Sequence, residues 1–319
     1  MAHEIHQMAY VGQTPWHGLG NALSPNQPLE VWAEQAGMDW TIQEAPVQFM
    51  DCVDSNQSRL ITFPHHKVLY RSDTHTPLSV VSQRYKVVQP REILEFYRDL
   101  TEISGYQLET AGVLKGGKKV WALARTGHSA TLQGNDVTNA YVLLATACDG
   151  TLATTAQFTA VRVVCNNTLA IAIDDSKGAV KVPHSTTFDA EAVKRQLGIS
   201  VSNWDSFMYR MKKLSERSVS HREAETFFRT LFTDPVTGSS LKPNEQAMNK
   251  AATLYNGHGR GAELGSSQGT ALGLLNAVTE FVDHERRARN SDYRLDSAWF
   301  GQGATLKQKA LDQTLLMLA

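Results

Sequence analysis

Apolar positions recur along this chain with two different periods, and the change of period divides it. Leu29, Trp32, Ala33 and Ala36 stand at helical spacing behind Pro28, and Gly37 follows them. That pattern predicts a short helix, opened by a proline and closed by a glycine free to turn left-handed. From 41 to 89 the period falls to two. Short β-branched or aromatic runs at 41–44, 47–53, 60–63, 67–71, 78–81 and 85–88 read as strands between turn formers such as Asp54-Ser55-Asn56. Pro90 then heads a helix over 91–104, with a stripe of Ile93, Leu94, Phe96, Tyr97, Leu100 and Ile103.

Segments 107–114 and 118–125 flank Gly116-Gly117, a hairpin signal, and 137–147 and 151–164 flank Asp149-Gly150. The run 168–173 suits a buried helix or a strand, and Asn166 or Asn167 before it, both good N-caps, favours a helix. Beyond Pro183 helical spacing dominates, over 189–197, 202–214, 220–231, 245–254, 270–288 and 306–318. Residues 255–269 are glycine-rich and read as a loop. The first 25 residues, with Tyr10, Pro15, Trp16, Gly18 and Gly20, read as an ordered arm. The expected fold is α+β. An arm and short helix (1–40) precede an antiparallel strand-rich core with a packed helix (41–183), and a mostly helical region (184–319) follows.

Composition supports a sizeable core: 319 residues, 42 % apolar and 20 % charged. No run approaches the roughly 18–20 apolar residues of a membrane span. The N-terminus lacks a basic region followed by an apolar one, so no secretory signal is expected. Cys52, Cys148 and Cys165 include no CxxC spacing, so no disulfide framework or Cys-rich zinc site is expected, and the compartment should be a reducing cytosol. Charge changes the picture more. The total is −1, but residues 1–64 hold seven acids against Arg59 alone, giving −6 there and +5 over the rest. The acidic segment is a solvated face, or it docks on a basic neighbour or competes with an anionic ligand.

Candidate chemistry is sparse. A phosphate loop needs GxxxxGK[ST]; Gly112 to Lys118 comes nearest, but Lys119 replaces the hydroxyl. Gly257-His258-Gly259-Arg260-Gly261 precedes a helix and is a plain loop or an anion site. HExxH and GxSxG are absent, and His3-Glu4-Ile5-His6 is one residue short for a helical metal pair. No catalytic residue, metal or cofactor is therefore assigned. Cys165 reads as a small buried hydrophobe. Bases interleaved with aromatics remain: Arg84 beside Tyr85; Lys115, Lys118, Lys119 and Arg125 around Trp121; Phe158 with Arg162; and Arg286, Arg287 and Arg289 at a helix end. Such sets bind single strands, or are core aromatics beside solvated bases.

The opening MAHEIHQMAYVGQTPWHGLG resembles the start of phage/plasmid-like proteins built on a domain of unknown function, the DUF932 family. The blocks LSVVSQRYKVVQPREILEF (78–96), GGKKVWALAR (116–125), AVRVVCNNTLAIA (160–172) and GTALGLLNAVTEFVDHERR (269–287) resemble later ones, in order. The resemblance implies a mobile-element protein in the host cytoplasm. Its order of elements is similar, at fold level, to phage single-strand annealing proteins. The expectation is thus a homo-oligomeric, non-membrane protein that binds single-stranded DNA and promotes annealing, through Arg84, Lys118, Lys119, Trp121, Arg125, Arg162 and Arg260. Two alternatives stand. One is a protein-interaction or anti-defence factor without DNA binding; the other is a metal-dependent nucleic-acid enzyme assembled from residues such as His66, His75, Asp149 and Asp174.

Overall fold

The computed structural model describes residues 7–12, 20–54, 57–164, 167–171, 179–197, 201–233 and 244–318. Its elements run β1 (Met8–Val11), β2 (Asn21–Leu23), α1 (Leu29–Gln35), β3 (Ile42–Asp54), β4 (Gln57–Arg71), β5 (Pro77–Ser82) and α2 (Pro90–Ser104). There follow β6 (Gln107–Leu114), β7 (Lys119–Thr131), β8 (Val137–Ala147), β9 (Thr154–Arg162), β10 (Asn167–Ala170) and β11 (Ala179–Val182). Then come α3 (Ala190–Leu197), α4 (Val201–Glu216), α5 (His221–Leu231), α6 (Glu245–Thr253), α7 (Ala271–Glu280), α8 (Ser291–Phe300) and α9 (Gln302–Leu316). The fold is α+β, as the alternation of periods requires.

Two sheets form. The larger has the order β10-β9-β8-β7-β6-β1-β2, with β11 also on β9, and the smaller has the order β3-β4-β5. All their pairings are antiparallel except β1 with β2. The Gly116-Gly117 signal holds: the two glycines sit in a tight turn between β6 and β7, at φ +68° and +109°. Gly112 lets β1 approach β6, since a Cβ there would lie 2.6 Å from that of Met8.

The helices cover both faces of the large sheet. On one face Val120, Ala122 and Ala124 join the main core with Phe96 and Tyr97 of α2, and the Tyr97 hydroxyl donates to the carbonyls of Ala122 (2.7 Å) and Val142 (3.0 Å). On the other, Trp121, Leu123, Tyr141 and Leu143 form a second cluster with Leu295 of α8. The main cluster runs from Ala9 to Leu311, so arm, sheet and helices share one core.

Several expectations need correction. Residues 167–170 form strand β10 on β9, not a helix; an apolar run this short is stabilised by whichever edge it meets. Residues 85–88 are no strand, because Tyr85 stacks on His184 (4.3 Å between rings) and donates to the Ala147 carbonyl. Runs 41–44 and 47–53 are one strand with a bulge at Pro46/Val47. Helix 270–288 ends at Glu280 and widens into a π-turn, Phe281–Glu285. Strand β11 and helix α8 were not anticipated. Trp16, Cys165 and Asp174 lie outside the described residues.

Helix α5 carries a full capping box. The Ser220 hydroxyl accepts from the Glu223 N–H, and the Glu223 carboxylate accepts from the Ser220 N–H at 2.8 Å and from Arg217 at 2.6 Å. The Ser220 hydroxyl and N–H, then Arg217, hold the Glu223 carboxyl down at about 2, against an ordinary 4.5. As the loss of an N-cap hydroxyl, Ser220→Ala should cost about 0.5–2 kcal/mol in urea unfolding. A depressed carboxyl stabilises above its unfolded value and ceases to as pH falls through the folded one. The deficit of the variant should accordingly shrink as pH drops from 4.5 towards about 2. A deficit constant over that window would show that Ser220 does not act on the Glu223 carboxylate.

Candidate nucleic-acid interface

The junction between the large sheet and the C-terminal helices is polar and buried. Arg162, at the end of β9, forms a fork on Asp136: Nε to Oδ1 at 2.6 Å and Nη2 to Oδ2 at 3.0 Å. The same guanidinium donates to the carbonyls of Arg260 and Gly261 and to the Ser267 hydroxyl. Ser266 also donates to Asp136, at 2.5 Å. The Asn167 amide donates to Thr279, and its oxygen lies 3.1 Å from His284 Nε2. Beside it, Asp283 accepts from Lys307 Nζ (2.8 Å) and the Thr168 N–H (2.9 Å). Asn167 and Thr168 thus bind the helices rather than cap one.

The glycine-rich loop is held by this junction. Glu280 is buried, and both its oxygens accept from the Arg260 N–H, at 2.9 and 3.2 Å. Burial raises the Glu280 carboxyl, and that N–H offsets part of the rise. Gly259 and Gly261 permit the approach, since Cβ atoms there would come within 2.9 Å of Glu280 Oε2 and of Val164 Cγ1. The anion expected at this loop is therefore the protein's own carboxylate. The next helix start is also occupied: the Thr270 hydroxyl caps α7 by accepting from Gly273 N–H.

Arginines gather on the outer side of this junction. Arg260 Nη1 lies 3.4 Å from His284 Nδ1, and Arg294 donates to the His284 carbonyl at 2.7 Å. Arg286 follows two residues on. Arg286 Nη1 and Arg294 Nε are shielded from solvent and have no acceptor. The chain between them exposes Arg287 and Arg289. Tyr293 at the start of α8 is 39 % exposed, with Arg289 (5.6 Å) and Lys115 (5.2 Å) against its ring. Lys115 belongs to the β6–β7 turn, beside exposed Lys118.

The residues named from sequence divide accordingly. Arg84, Lys118 and Arg260 are exposed. Trp121 is 0 % exposed and packs edge-on against Trp299 at 4.8 Å, so it cannot stack on a base. Lys119 is 4 % exposed; it pairs with Asp296 and lies over the Phe300 ring. Burial raises the Asp296 carboxyl, but Lys115 and Lys119 outweigh that and hold it below its ordinary value. Arg162 is committed to Asp136, and Arg125 donates to Asn139 at 3.1 Å. Alternation rightly put Lys119, Trp121 and Arg125 on one face, but α8 covers that face. Lys118 immediately precedes β7 and Arg125 lies midway along it, opposite Tyr141, so the two are roughly 20 Å apart.

Other chemistry is limited. Burial, then the Asp149 charge, pushes the Cys148 thiol up to about 12, so at neutral pH it is protonated and a poor nucleophile. Among the described residues, no three His, Cys, Asp or Glu side chains are placed to hold a metal ion. A cleft of about 580 Å³ opens between α5, α6 and the 255–269 loop, floored by Phe228, Met248 and Tyr255. Its charged rim residues, Glu225 and Glu263, are acids, which disfavours phosphate there. No described helix is long and apolar enough to cross a membrane.

Sequence reasoning missed Asp136, Glu280, Asp283, Lys307 and Tyr293. The available signal was acids inside an apolar helix: Glu280 and Asp283 interrupt Val278, Phe281 and Val282, where a solvated face would not lie. No curated protein matches the chain. The model of the family described as Domain of unknown function (DUF932) matches residues 77–299, well over half of the 319 residues, from β5 through the junction into α8. On that match the chain belongs to the DUF932 family.

Proposed function

We propose that this protein binds single-stranded DNA in the DNA metabolism of a mobile element and promotes strand annealing. The observation that carries the reading is Tyr293, an exposed ring between Lys115 and Arg289, continuous with Arg287, Arg294 and Arg260. An exposed aromatic among cations is what sequence-tolerant strand binding needs: the ring stacks a base while the cations follow the backbone. Of the residues chosen from sequence, Lys118 and Arg260 fit this path.

Fluorescence anisotropy on a labelled single strand tests the reading. Tyr293→Ala should weaken binding by about 1–3 kcal/mol. Arg287→Ala and Arg289→Ala should each reduce the slope of log affinity against log salt by about 0.7. Salt-insensitive binding, or none at about 50 mM salt, would sink it. The second reading, a protein-interaction factor of a mobile element, draws on the exposed ribbon between residues 47 and 63.

A further inference from the structure

The distal half of the β3–β4 hairpin projects as a two-stranded ribbon. Strand β5 pairs only with residues 66–70 of β4, so among the described residues no third strand extends over 57–63. Such ribbons are marginal in water alone. This one nevertheless exposes large apolar side chains: Phe49 50 %, Met50 65 %, Leu60 61 % and Phe63 43 %. The register pairs Val47 with Phe63, Phe49 with Ile61 and Asp51 with Arg59, and alternation puts all six on one face. The other face carries Gln48 with Thr62 and Met50 with Leu60.

We infer that this face is an interface with a second copy of the chain, packed ribbon to ribbon about a two-fold axis along the strands. The argument is charge complementarity within a single geometry. A two-fold contact sets one patch against itself. With its axis along the ribbon, β3 of each copy lies over β4 of the other. Val47 then meets Phe63 of the second copy, Phe49 meets Ile61, and Asp51 meets Arg59, twice over. Apolar residues cover apolar residues, and each charge meets its opposite. A nucleic acid is the poorer occupant. The face offers it a single cation, Arg59, which Asp51 already engages at 3.7 Å. The inference is independent of the DNA-binding reading.

Sedimentation velocity on the full chain tests it. The wild type should form a dimer that dissociates on dilution. Asp51→Arg and Arg59→Asp, each like-charged across the interface, should each sediment as monomers with unchanged circular dichroism. Mixed in equal amounts they should restore the dimer, since the two positions then carry opposite charges across the interface in both directions. Phe49→Ser should dissociate the wild-type dimer by the apolar route. A wild-type chain that stays monomeric at every concentration overturns the inference. So do single variants that dimerise like the wild type, and so does a mixture that fails to recover the dimer.

Discussion

Asp283→Ala should lower folding stability by about 3–5 kcal/mol, the cost of breaking a buried ion pair from one side. Asp283 and Lys307 are both buried, and the carboxylate joins three elements. It lies in the π-turn after α7, accepts from Lys307 of α9 and accepts from the Thr168 N–H of β10. Lys307 also donates to the Thr168 carbonyl at 2.8 Å. Without the carboxylate, a buried ammonium keeps only the Thr168 oxygens, with no counter-charge, and a strand N–H loses its acceptor. Burial already lowers the Lys307 pKa, against the pull of Asp283. The variant relieves itself in part by releasing that proton, so its loss should be smaller at high pH. Asp283→Ala combined with Lys307→Met should recover most of the stability, because an apolar replacement of a buried pair is often neutral. Urea unfolding at two pH values measures all of this. A loss below about 1 kcal/mol for the single variant would show that the pair is solvated.

Trp121→Ala should cost about 3–5 kcal/mol as well, through a different cause. Its indole is fully enclosed by Leu123, Leu143, Leu295 and Trp299, so truncation leaves a void between β7 and α8. This result separates the two roles an aromatic among lysines can have. If Trp121 is core, the variant unfolds at lower urea while its folded fraction keeps its affinity for a single strand. Tyr293→Ala should do the reverse, with weaker binding and nearly unchanged stability. A Trp121→Ala protein of wild-type stability would overturn the enclosed packing.

These contrasts mark what could be read from residues alone. The hairpin at Gly116-Gly117, the stripe of α2 and the helix closed by Gly37 were legible, because glycine freedom and periodicity are local properties. The face shared by Lys119, Trp121 and Arg125 was legible too. What covers that face was not, since α8 arrives about 170 residues later and its own apolar pattern is weak. The same holds for β10. Asn167 and Thr168 look like capping residues in sequence, but their partners are His284, Thr279 and Asp283, more than 100 residues away. Buried pairs such as Arg162 with Asp136 leave no spacing signal, because side chains from separate elements make them.

Strand β1 closes the outer side of β6, though about 100 residues separate them. Gly112, the register partner of Met8, has no Cβ and so lets β1 lie close. Until β6 is made, β1 has only the three residues of β2 to pair with. If β1 is lost, β6 is left with a bare row of backbone donors and acceptors, a template for pairing with another molecule. A neighbour's first strand would fit that row as well as the chain's own. Trimming the N-terminus is therefore no neutral edit, because it exposes β6 to strand exchange.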